Sequence, residues 1–132
     1  MSDNRVAPSL EDFERLAEAA FKGLPEEMRV LCTGLEIFIT EFADAEMLGA
    51  LGLEDPFELT GVYVGVDLSQ KSVADPSPEP DRVILFRRPI LDEWADHGSI
   101  TLAELVTHVL VHEIGHHFGL SDDDMHRIEG QG

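Results

Sequence analysis

The stretch ITLAELVTHVLVHEIGHHFG, residues 100 to 119, constrains this chain more than any other. Thr101 and Glu104 have the spacing of a capping box, and Ile100 and Leu105 can form the hydrophobic staple around it. Leu102, Leu105, Val106, Val109, Leu110, Ile114 and Phe118 recur at helical spacing over a wide surface, so the segment predicts a largely buried helix. Gly119 is placed to end it, because a glycine beyond the last turn takes the left-handed conformation without steric cost. The rest of the fold must wrap around this helix and also provide partners for the histidines it carries.

Those polar residues form a pattern. His112 and His116 lie one turn plus about 40° apart with a rise of about 6 Å, so both imidazoles can reach one tetrahedral ion. Glu113 lies on an adjacent face, where a carboxylate misses the ion and still touches a water beside it; this is the physical content of H-E-x-x-H. Composition alone gives that pattern by chance about 3% of the time, so it is suggestive by itself. Requiring also Gly119 and an acid at the sixth position after His116 lowers the chance by roughly 50- to 100-fold.

A catalytic zinc site commonly has three protein ligands and a water. Asp122 is the candidate for the third, because the chain reversed at Gly119 can return a carboxylate toward the ion where a continuous helix could not. The competing reading of Asp122, Asp123 and Asp124 is that Ser121 caps a new helix whose acidic first turn suits the helix dipole. Glu129 ranks below Asp122, since it follows His116 by few residues and lacks a second helix long enough to present it. His108 is expected on the helix surface or behind the site, and His117 as a partly exposed side chain near the cleft. Tyr63 and His126 are candidate donors to a developing oxyanion. On these residues alone, a chain whose histidines are structural and bind no metal stays open.

Elsewhere SLEDFERLAEAAFKGL (9 to 24) reads as an amphipathic helix capped by Ser9 with Asp12 and ended at Gly23 and Pro25. PEEMRVLC adds a short helical segment, and ADAEMLGALG another. LEIFIT (35 to 40), GVYVGVDL (61 to 68) and DRVILFRR (81 to 88) read as strands, the last stopped by Pro89 with Arg87 and Arg88 at its solvated end. PILDEWADHG follows as a short helix or turn, and the prolines of SVADPSPEPD (72 to 81) mark an exposed loop. Strands ahead of the long helix, without regular alternation, predict an α+β fold: a small twisted mixed sheet packed against the long helix and the N-terminal helix. If the third strand is an exposed edge beside the long helix it could pair with an extended peptide, and the second strand is an equal candidate.

The whole chain, 1 to 132, is expected to be one domain, long enough to bury a core without disulfides. Its single cysteine, Cys32, excludes an internal disulfide and a Cys-rich zinc site, and its apolar neighbours make it a buried small hydrophobe. Twenty-seven acids against nine bases give a formal charge of −18, a field that repels phosphate backbones and argues against nucleic acid as a partner. No signal peptide or membrane-length apolar run is expected, which predicts a cytoplasmic protein with no membrane partner.

HEIGHHFGLSD resembles the extended metzincin signature H-E-x-x-H-x-x-G-x-x-H/D in its aspartate-ending form. The chain is also similar to the small bacterial zincin-like family of metallopeptidases, the minimal zincins. The likeness extends to the N-terminal helix, to LTGVYVGVDL and to DRVILFRRPIL. It implies the zincin fold, a bound Zn2+, the ligands His112, His116 and Asp122, Glu113 as general base, and a peptide or protein substrate. The metzincin pattern carries a methionine turn well downstream of the third ligand. Here Met125 follows Asp122 by three residues, and either lies under the metal as that turn does or packs as an ordinary core methionine. The chain ends seven residues after Met125, so the lower lobe of a protease cleft is expected to be nearly absent. The expected function is a zinc-dependent peptidase; the alternative is a non-catalytic metal-binding domain of the same fold acting as a structural or peptide-binding module.

Overall fold

A computed structural model describes residues 7 to 65 and 81 to 119. Helix α1 spans Leu10–Lys22 and α2 Glu26–Leu31; strand β1 is Glu36–Thr40 and helix α3 Ala45–Ala50. A 3-10 turn at Pro56–Glu58 leads to β2, Gly61–Val64. Strand β3, Arg82–Phe86, then passes straight into α4, Arg87–His97, and α5 covers Leu102–His117. Asp122, Met125, His126, Glu129, the proline-rich stretch and the expected end of the second strand lie outside the described residues.

The sheet has the order β1-β3-β2, with β1 parallel and β2 antiparallel to β3. It is mixed, as expected, but β3 is its centre. The condition under which β3 could pair with a peptide, that it be an exposed edge, is therefore not met; among the described residues β1 and β2 are the outer strands. The run VILF explains the placement, since a strand covered on both faces is apolar at every position instead of alternating. Val83 and Leu85 point into the main core, while Ile84 and Phe86 pack into a smaller cluster with Ala43 and Leu48 on the other face.

The main core lies between the sheet and the α1/α5 layer. It joins Phe13 and Ala17 of α1, Cys32, Val83 and Leu85 of β3, Ile90 of α4, and Leu102, Leu105, Val106, Val109, Leu110 and Ile114 of α5. Cys32 is buried as expected, and burial pushes its thiol pKa up. Each long helix begins where the sequence says it should. Ser9 and Asp12 form a reciprocal capping box at α1, and Thr101 and Glu104 form one at α5.

Arg87 and Arg88 are not the solvated end of a strand. They open α4, and Pro89 sits in that helix's first turn, where a missing N–H costs nothing. Arg87 is tied down by Nε donating to Pro8 O at 2.7 Å and Nη1 to Glu41 Oε1 at 2.9 Å, while the Arg88 N–H donates to Glu41 O. At the far end Gly98 adopts φ 72° to end α4, and Trp94 Nε1 donates to Ile100 O at 2.9 Å, fixing the approach to α5. Among the described residues no helix is long and apolar enough to cross a membrane.

Candidate metal centre

Helix α5 presents two adjacent polar stripes near its C-terminal end. Val106, Leu110, Glu113 and His117 recur at steps of four, three and four residues, so they share one face, and all four are buried. His112 and His116 lie on the next face and are partly exposed. Their ring centroids are 5.0 Å apart with planes at 83°. Two imidazoles bound at about 2.1 Å to one tetrahedral ion would hold their ring centres about 5 Å apart, and the observed ring separation matches that spacing.

Among the described residues no group of three His, Cys, Asp or Glu side chains forms a metal cluster. The described pair is thus not a complete ligand set by itself, and Asp122, the expected third member, lies beyond the last described residue, as does Met125. What is described is the turn that precedes them. Gly119 has φ 85°, and its N–H donates to His116 O at 3.0 Å. The helix therefore stops one residue past His116, and Gly119 turns the chain away in the left-handed conformation that glycine takes most easily.

Strand β2 runs alongside the buried stripe. A Cβ built on Gly61 would meet Val109 Cγ1 at 2.9 Å and Glu113 Cγ at 3.3 Å, so the strand backbone can approach this part of α5 only because Gly61 has no side chain. Glu113, at 8% exposure, is packed against β2 beside the histidine pair. Two residues along the strand, on the same face, Tyr63 meets His117. The spacing of two strand residues matches one helical turn, about 6 Å in each case.

His117 differs from expectation. It is 3% exposed, a buried side chain and not a partly exposed one. Its Nδ1 lies 2.9 Å from Tyr63 Oη and 3.5 Å from Asp81 Oδ2, and its Nε2 lies 3.2 Å from Leu31 O. Tyr63, expected as a donor to an oxyanion, thus has its hydroxyl on His117. Asp81, 6% exposed at the foot of β3, fills the space where a side chain on Gly65 would stand. His108 is exposed on the helix surface, as expected.

The reading of the sequence missed Gly61, Asp81 and the burial of His117. For His117 a signal was present: it follows Leu110 by seven residues and Ile114 by three, which places it on the buried side of α5. Asp81 and Gly61 gave no comparable sign, because their roles arise from strand packing between segments distant in sequence. A groove of about 360 Å³ between α1 and β1, lined by Glu14, Ala17, Glu18, Phe21, Ile37, Phe38 and Ile39, includes none of these residues.

No match was found among curated proteins. The model of the zincin-like metallopeptidase family, in contrast, matches residues 32 to 131, a span that contains β1, β2, β3, α4 and α5 with the whole histidine stretch. With that match, and with a mixed sheet packed against the helix that carries the paired histidines, this chain belongs to the zincin-like metallopeptidases.

Proposed function

We propose that this protein is a zinc-dependent peptidase in which His112, His116 and Asp122 hold Zn2+ and Glu113 is the general base. The observation that carries the reading is the histidine pair, with rings 5.0 Å apart on one face of α5 and Glu113 on the adjoining buried face. Bound there, zinc would supply a Lewis acid that polarises a carbonyl and acidifies a water. Glu113 would take the proton of the attacking water and deliver it to the departing amine, so that one carboxylate serves both halves of the hydrolysis. Its burial against Gly61 restricts its rotamers and excludes bulk water on that side.

The substrate is a peptide or protein segment in extended form. Among the described residues β2 pairs with β3 on one side only and lies beside α5, so its outer edge is the strand on which such a segment would align. The central position of β3 removes it as the alternative.

The test combines a metal assay with a digestion. Purified protein should carry about one zinc per chain, and it should cleave members of a broad peptide library. Glu113→Gln should keep the zinc and lose roughly 10²- to 10⁴-fold in rate. Equal cleavage by Glu113→Gln would overturn the assignment of the base. Stoichiometric zinc with no cleavage by the wild type would leave the metal-binding module as the function.

A further inference from the structure

We infer that His117 is a positioning residue for the metal site, holding the last turn of α5, and with it His116, against α2 and β2. The inference deepens the zinc reading above and rests on it. A carbonyl oxygen only accepts, so the 3.2 Å approach of Nε2 to Leu31 O places the ring proton on Nε2. Nδ1 makes the second polar contact, 2.9 Å from the Tyr63 hydroxyl, with Asp81 Oδ2 3.5 Å away on the same edge of the ring. One imidazole thereby spans three chain segments: the end of α2, strand β2 and the start of β3.

The location explains why such a bracket matters. The last turn of a helix has fewer onward backbone hydrogen bonds than the middle and frays more readily. His116 is in that turn, and α5 ends at His117 with Phe118 as its cap. His112, a full turn earlier, has helix on both sides; past His116 the backbone is closed only by the turn in which the Phe118 and Gly119 N–H groups donate to the Ile114, Gly115 and His116 carbonyls. A metal site needs its ligands held within about 0.5 Å of the productive geometry. A side chain 3% exposed and bonded through both nitrogens, one residue from the histidine nearer the helix end, supplies that restraint. An edge-on ring contact adds to it, since His117 also packs against Tyr63 with centroids 5.4 Å apart.

The test is zinc affinity measured by competition with a chelator, together with the visible absorption of the Co2+-substituted protein, on full-length variants whose fold is checked first by circular dichroism. His117→Phe keeps an aromatic ring and removes both hydrogen bonds. It should bind zinc about 10- to 100-fold more weakly than wild type and alter the Co2+ band, while His117→Gln, which restores an N–H toward Leu31 O, should recover part of the loss. A residue that only fills the core would lower the melting temperature of the metal-free protein and leave both metal readouts unchanged. His117→Phe with an affinity within about twofold of wild type and an unaltered Co2+ band would therefore overturn the inference. Should that variant fail to fold, Tyr63→Phe removes one of the two bonds with a single atom. A severalfold weaker affinity supports the bracket, and an unchanged affinity with an unchanged band overturns it. Wild-type protein that binds no zinc would instead overturn the reading on which the inference stands, a separate and recognisable outcome.

Discussion

Helices α1 and α5 pack against one another and both start from a capping box, yet they bury different things. Helix α1 buries Phe13 and Ala17 and turns acids toward solvent, as an ordinary amphipathic helix does. Helix α5 buries most of its length, and among its buried residues are Glu113 and His117. A buried carboxylate and a buried imidazole cost free energy unless partners meet them, and α5 carries buried polar groups where α1 carries none. The difference separates a helix built as scaffold from the one on which the site is proposed.

The contrast can be broken by substitution, starting with the largest expected effect. Phe13→Ala removes a fully buried ring from α1 and should cost about 3–5 kcal/mol in denaturant unfolding. Zinc affinity of the folded variant should nevertheless stay at the wild-type level, because α1 supplies no group to the site. A drop in affinity with the fold intact would show that the two helices are not separable in this way. Glu113→Gln is the opposite case, with a large loss of rate and little loss of zinc.

Gly61→Ala comes next. Its new methyl group would press on Val109 and Glu113, and overpacking of this kind costs about 1–3 kcal/mol. Here stability and turnover should fall together, since the displaced side chain includes the proposed base. Full activity in Gly61→Ala would separate Glu113 from the β2 backbone and weaken the account of its positioning.

The smallest effect is a pH dependence confined to α1. The Ser9 N–H, followed by the Arg15 guanidinium, lowers the Asp12 pKa, and Lys22 lowers that of Glu18. Because both folded values lie below the unfolded ones, their contribution is present at pH above the ordinary carboxylate range and disappears as pH falls through the lowered values. Both groups are fully exposed, so the melting temperature should decline only slightly below about pH 4 from this source, and Asp12→Asn should flatten that part of the curve. A steep loss retained in Asp12→Asn would point to other carboxylates.

Much of this comparison was legible in the sequence, and the parts that were not share a cause. Both capping boxes, the limits of α1 and α5, the existence of three strands and the left-handed Gly119 follow from local spacing, and local spacing is what a sequence displays directly. The order β1-β3-β2 depends on pairing across the chain, and only the unbroken apolar run of β3 hinted at its central place. Pro89 was misleading because a proline that stops a strand is equally suited to the first turn of a helix, and here no loop separates the two. In the site, His112, Glu113 and His116 are legible because one helix carries them. The network of His117 is not, because Leu31, Tyr63 and Asp81 reach it from three other segments.

The central claim is that the two histidines of α5 hold a zinc ion completed by a ligand from beyond Gly119. Diffraction from crystals of the purified protein, collected above and below the zinc absorption edge, tests it most directly. The account predicts a single strong anomalous peak between the His112 and His116 rings, with an Asp122 oxygen as the third protein ligand. No peak there in zinc-supplemented crystals, or a peak on another set of side chains, would contradict it.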